Sequence, residues 1–231
     1  MSILFKHNIN WRYAIGEVVL IFIGITLAIA FDTWNDDRNR KAELESIYVS
    51  IADELQRDIA RLDQILPNFN WKIQVMGRII NQEYTKEDWI TNDSLFASFF
   101  SFYDFDIGQE RFQLLKSKVA VDNPTRTLNN QIADFYKKHL TDVPVRTEEA
   151  NMSYHRNIAH WENEEWFSSA IVDQHYSLLS NYAHTDFTFR NKITWYRIML
   201  LRLENALKRY RDDAQELSRQ INNQYPNEKN K

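Results

Sequence analysis

Apolar and polar positions along this 231-residue chain follow two regimes. From Tyr13 to Phe31 the chain is one apolar stretch broken by a single carboxylate, Glu17. At about 1.5 Å per residue, a helix over these positions spans roughly 28 Å, close to the ~30 Å hydrocarbon core of a bilayer. Trp11 and Tyr13 flank one end and Trp34 the other. The two tryptophans stand about 34 Å apart along a helix, the spacing of aromatic belts at two membrane interfaces. The pattern predicts a transmembrane helix over 13–34, preceded by a short tail, 1–12.

Beyond it, apolar residues recur at helical intervals. Leu44, Tyr48, Ile51, Leu55, Ile59, Leu62 and Leu66 predict a stalk helix over 35–66 that continues the span and ends near Pro67, since proline cannot donate the helix hydrogen bond. A helical soluble domain is expected over 67–222. Its first helix runs from about Phe69 to Glu83, and 83–93 reads as a loop whose Asn92, Asp93 and Ser94 cap a helix starting near Leu95. Gly108 and then Asp122-Asn123-Pro124 punctuate the next segments. A helix from about Thr125 carries Leu128, Ile132, Phe135 and Tyr136, is bent or interrupted at Pro144, and resumes to about Glu165. Residues 166–182 read as one helix and 183–187 as a turn.

The last element is the clearest. Ile193, Tyr196, Leu200, Leu203, Leu207, Tyr210, Ala214, Leu217 and Ile221 alternate in steps of three and four, predicting a coiled-coil-like helix over 190–222 followed by a polar tail, 223–231. Residues 190–221 carry eight bases against four acids, and 32–66 carry nine acids against five bases. Antiparallel pairing of these two helices matches charge and buries both stripes; cysteines at Leu55 and Leu207 are one trial register. The heptads could equally pair between subunits. The fold class expected is all-α: a transmembrane helix running into a stalk, then an antiparallel bundle closed by the heptad helix.

Composition narrows the classes. With 44% hydrophobic and 14% aromatic residues the chain can bury a core and is no disordered tail. Only four glycines and four prolines leave too little turn punctuation for an all-β fold. The formal charge of −4, with acids and bases interspersed, shows no nucleic-acid footprint. The absence of cysteine excludes disulfides, a thiol nucleophile and thiolate metal sites. It fits a periplasmic or a cytosolic domain equally. Lys6 and Arg12 precede the span with no acid beside them, which favours an N-terminus inside and a domain outside the inner membrane, although Arg38, Arg40 and Lys41 lie on the far side.

A cleaved signal peptide is the rival reading of the apolar stretch, with Ala28-Ile29-Ala30 as an A-x-A site. Against it stand Glu17 at the start of the apolar core, the long charged region before it, and a helical pattern that runs through the cut. Within an uncleaved span, Glu17 costs on the order of 2.5–3.5 kcal/mol at the centre and less near an end. It is either a contact or ionisable site, or an acid reaching the headgroups near Arg12. Gly16, Gly24 and Ala28 add small residues, and Gly24-x-x-x-Ala28 has the spacing that lets two helices approach closely. These positions are the candidate membrane-helix contacts; Trp11, Tyr13 and Trp34 are the candidate interface belt.

Other chemistry is sparse. His155 and His160 are five apart and do not share a helix face, whereas His160 and Glu164 do. No HExxH, Walker loop, GxGxxG or GxSxG occurs, so no catalytic, metal or cofactor site is expected. The aromatic cluster from Phe96 to Phe112 reads as core between longer helices, with a ligand pocket as the alternative.

Tyr13-Ala14-x-Gly16-Glu17-x-x-Leu20-x-x-x-Gly24-Ile25-x-x-Ala28, followed by Trp34-Asn35-Asp36, resembles the N-terminal signature of a large uncharacterised family of small single-pass membrane proteins abundant in Bacteroidetes-type bacteria. Phe112-Gln-Leu-Leu-Lys-Ser-Lys, the Asp122-Asn123 turn and Leu128-Asn-Asn-Gln-Ile-Ala-Asp-Phe-Tyr136 extend the likeness. The family usually has glutamine and two asparagines where this chain has Ala30, Asp32 and Thr33. The resemblance implies no known activity or cofactor. It does imply that Gly16 and Glu17 belong to a shared membrane motif.

The function expected is therefore a membrane-anchored helical interaction or scaffold protein, an oligomeric accessory subunit of an envelope complex without catalytic activity. Its partners would be the bilayer and a second copy or another membrane protein, with no nucleic acid. One alternative is an extracytoplasmic ligand sensor that needs a partner for output, with the aromatic cluster as pocket. Another is an ion- or proton-coupled oligomeric subunit using Glu17.

Overall fold

The computed structural model describes residues 11–118 and 126–226, with backbone alone for 11–14 and 126. These residues form eight α-helices and, among them, no strand. The turn expected at Asp122-Asn123 lies outside the described residues. The chain divides into two compact units, residues 1–47 and 48–231.

The first unit is the apolar part of helix α1 (Trp11–Ile80). Every residue from Ile15 to Glu43 is exposed. This one N-terminal helix is long and apolar enough to cross a membrane.

The second unit is built on three long rods: the part of α1 from Tyr48 on, α5 (Arg126–Trp161) and α8 (Phe187–Gln224). Cross-helix hydrogen bonds give the directions. Gln56 bonds Ser218, Tyr210 bonds Asp58 and Arg197 bonds the Ile73 carbonyl, so α8 runs antiparallel to α1. Arg209 bonds Asp142 and Asn157 bonds the Lys192 carbonyl, so α8 is antiparallel to α5 as well. Tyr48 bonds Asn129 and Tyr136 bonds Glu54, which makes α1 and α5 parallel. All nine heptad positions of α8 are buried within the chain. The antiparallel pairing expected from charge and stripes is present. Its register, however, sets Leu55 at the level of Leu217, beside the Gln56–Ser218 bond, and not at that of Leu207.

Pro67, expected to end a helix, and Pro144, expected to bend or interrupt one, both lie inside continuous helices. α1 passes through Pro67 to Ile80, and α5 passes through Pro144. An internal proline costs about 3 kcal/mol. Leu66 and Phe69 are buried around the first, and each such side chain contributes about 1.5–3 kcal/mol, so packing outweighs the lost bond. Val143 and Ala150 lie buried around the second.

Shorter pieces fill the gaps. The expected loop over 83–93 contains α2 (Lys86–Thr91), started by a capping box in which the Thr85 hydroxyl accepts from the Asp88 amide and the Asp88 carboxylate accepts from the Thr85 amide. α3 (Asp93–Phe99) follows at once, capped by Asn92. An extended segment, 101–109, then runs back along the bundle to α4 (Glu110–Lys118). The single helix expected over 166–182 is instead two, α6 (Trp166–Val172) and α7 (Ser177–Thr185), parted at Gln174, whose φ of 52° is left-handed. Asp186 caps α8 by accepting from the Thr188 and Phe189 amides. At this end Phe99 is fully buried among Trp89, Trp161 and Phe189, with ring centroids 5.3–6.1 Å away. Phe105 and Phe112 are buried farther along.

Candidate functional site

On the apolar helix, 100° per residue places Glu17, Gly24 and Ala28 within about 40° of one another, while Gly16 stands one step round. Nothing lies within 4 Å of a Cβ built on Gly24, so this face has open space for a neighbour, as does Gly16 beside it. The Thr26 hydroxyl donates to the Phe22 carbonyl at 2.8 Å, and its hydrogen bond is thus satisfied inside the helix. At the far end of the apolar stretch, Phe31 and Trp34 pack ring to ring, and the Arg38 guanidinium lies 5.9 Å from the Trp34 ring centre. An amphipathic ring beside a cation is the composition of an interfacial girdle. The side chains of Trp11 and Tyr13 lie outside the described residues.

The densest chemistry stands in the second unit, at residues that sequence reading passed over. Glu54 and Asp58, one helical turn apart on α1, are both buried carboxylates. The Tyr210 hydroxyl donates to Asp58 Oδ2 at 2.6 Å, and the Gly108 amide donates to the same oxygen at 3.0 Å. Arg61 stands 3.6 Å from the other oxygen. The Tyr136 hydroxyl donates to Glu54 Oε1 at 3.3 Å, under the stacked ring of Phe112. Burial raises the Glu54 carboxyl above its ordinary range, against the lowering effect of an Arg111 backbone hydrogen bond and of Tyr136. Burial first, and then the facing carboxylates, push both phenols well above theirs, so they remain donors.

About four turns farther along α1 than Asp58, Lys72 is buried and its Nζ donates to the carbonyl and hydroxyl of Ser101. The Tyr103 ring lies 4.6 Å away, and Tyr196 donates to the same Ser101 carbonyl. Burial lowers the Lys72 ammonium to about 8. On the other side of the bundle, buried His139 places Nε2 2.8 Å from Asp213, and burial lowers its imidazolium below the ordinary range.

These groups share a physical role. Extended backbone over 101–109 has no helix or sheet ladder of its own, and a buried backbone group without a partner is costly. Lys72, Asp58, Arg61 and Tyr196 supply partners. Asp58 holds the segment through the Gly108 amide, while Glu54, engaged by Tyr136 and the Arg111 backbone, fixes the start of α4 beside it. Sequence carried a faint signal for this: both acids sit one position off the Ile51–Leu55–Ile59 stripe, facing helices whose own stripes contain tyrosines.

His160 Nε2 lies 3.4 Å from Glu164, one helical turn on. His184 packs against the Tyr84 and Ser180 carbonyls. Among the described residues no three His, Cys, Asp or Glu side chains converge as a metal site.

No curated protein and no solved structure matches the chain. A model of a family of unknown function matches residues 17–159, which take in Glu17, Gly24, Ala28, the buried acids and most of α5, and so cover more than half of the sequence. The chain belongs to that family of unknown function, DUF6090.

Proposed function

We propose that the chain is a membrane-anchored helical interaction protein, held in the bacterial inner membrane by its apolar helix and self-associating through the face that carries Glu17, Gly24 and Ala28. One observation supports this reading above the others. The face combines an acid with the small residues Gly24 and Ala28, and Gly24 has open space around it. Association inside a bilayer depends on close backbone packing, which small residues permit. A carboxylate on the same face gains from a partner in proportion to what it costs in lipid. The helical bundle is then the part presented to other envelope components, on the periplasmic side according to Lys6 and Arg12 before the span, without a catalytic step of its own. The aromatic cluster that a ligand sensor would need as a pocket is engaged in packing, Phe99 being enclosed by three other rings.

The chain has no cysteine, so a single one reports unambiguously. Gly24→Cys in native membranes, oxidised gently, is expected to give a cross-linked dimer, whereas Phe22→Cys on the opposite face is not. Equal yields at both positions, or no product at either, refute self-association through this face.

A further inference from the structure

The seam between α5 and α8 holds a basic pocket that neither the apolar helix nor the buried acids explain. Arg146 of α5 and Arg202, Asn205 and Arg209 of α8 line it, around a volume of about 400 Å³, within the range of small-molecule sites. Positions 202, 205 and 209 follow one another by three and four, so they form a single stripe on α8. The Arg209–Asp142 hydrogen bond, 2.7 Å, fixes that stripe opposite Arg146, one turn beyond Asp142.

Donors outnumber acceptors there. Three guanidiniums carry five N–H groups each. Asp142 accepts from Arg209 and stands 3.5 Å from Arg146, and Glu149 accepts from Arg146 at 2.8 Å. Asp142 is held below the ordinary carboxylate range, by the Arg209 hydrogen bond before any other attraction, so it is a standing anion that fixes two forks in position. The Arg202 guanidinium and the Asn205 amide have no hydrogen-bond or ion-pair partner among the described residues. The positive character continues along the seam. Lys192, at the level of Asn157, has its ammonium lowered by burial and by the charge of Arg156. From Phe187 to Arg209 the helix carries six bases and one acid, Glu204.

We propose that this pocket binds a phosphoryl oxyanion of the monoester class, with Arg202 and Arg146 as bidentate forks, Asn205 as a neutral donor, and the Arg209–Asp142 pair as their scaffold. Planar guanidiniums match such an anion in geometry as well as charge. The phosphoryl group could arrive on a soluble phosphate ester or on a lipid headgroup, and the test separates the two.

Full-length protein in a phosphate-free non-ionic detergent is titrated calorimetrically with inorganic phosphate. It is also mixed with nanodiscs of zwitterionic lipid with and without phosphatidic acid. Arg202 is exposed and has no partner among the described residues, so Arg202→Gln leaves the fold intact and is expected to weaken binding about tenfold, the effect of one charged hydrogen-bonding group. Arg202→Lys, which keeps the charge and loses the fork, falls between. Arg219→Gln, at an exposed arginine already paired with Glu216, changes nothing. Binding of inorganic phosphate supports a soluble ester, and binding only to phosphatidic acid supports a headgroup. No binding to either, or binding undiminished by Arg202→Gln, overturns the proposal.

Discussion

Replacing Tyr210 by phenylalanine removes one oxygen from the buried acid cluster and nothing else. That oxygen donates to Asp58 Oδ2 at 2.6 Å, with Tyr210 fully buried and Asp58 4% exposed. A hydrogen bond to a charged group contributes about 1.5–3 kcal/mol, and a carboxylate deprived of one donor in a dry setting is not rescued by solvent. Asp58 keeps the Gly108 amide at 3.0 Å and, less closely, Arg61 at 3.6 Å, so the loss falls near the middle of that range, about 2 kcal/mol. For a domain of this size each kcal/mol shifts Tm by about 2–4 °C, giving an expected fall of about 4–8 °C. Thermal unfolding of the full-length protein in detergent, followed by circular dichroism, measures it. Tyr103→Phe is the control: Tyr103 is 42% exposed and contributes its ring, not its hydroxyl, to the Lys72 environment. If Tyr210→Phe lowers Tm no more than Tyr103→Phe does, the argument that Asp58 depends on its phenol donor is wrong.

Two further outcomes follow from the same region. A Cβ on Gly108 would stand 2.9 Å from Glu54 Cγ and 3.1 Å from its Cδ, and Glu54 is buried with its carboxylate held by Tyr136. Gly108→Ala is therefore expected to lower stability by about 1–2 kcal/mol, the overpacking cost exceeding the ~0.4–1 kcal/mol gained from a stiffer unfolded chain; a urea midpoint at or above that of wild type would contradict it. The Lys72 ammonium falls to about 8 in the folded chain against 10.5 as the ordinary value, so between these limits the folded state binds fewer protons than the unfolded one. Stability should then rise with pH from about 8 to about 10.5, and this rise should vanish in Lys72→Met; equal midpoints in paired urea titrations at the two ends of that window would dismiss the linkage.

Long helices were legible in the sequence because they repeat. The nine-position stripe of α8 names the residues that the structure buries, and the complementary charges of 32–66 and 190–221 point to the antiparallel partner. Pro67 and Pro144 misled because a proline states a local cost, whereas the compensating burial of Leu66, Phe69 and Val143 is non-local. The break at Gln174 had no glycine or proline to announce it. α2 was legible after all, in Thr85-x-x-Asp88. The buried acids were the hardest to foresee. Glu54 and Asp58 look like solvated positions until an extended segment and two tyrosines, one about 80 residues away and the other about 150, converge on them.

That extended segment bears on the order in which the chain folds. Where an up-and-down bundle would place a second long helix, 101–109 borrows its partners from α1 and α8, and Tyr196, which holds the Ser101 carbonyl, lies 95 positions away. A helix can begin to form on its own; this strip cannot. Its docking waits until the rods of α1 and α8 have met, and closing so distant a contact carries the loop entropy of everything between. It is expected to be the last piece in and, by the same reasoning, the first to open when the folded bundle fluctuates, which native-state hydrogen exchange at 101–109 would read directly. Asp58 and the lowered lysine are the latch of the segment expected to assemble latest.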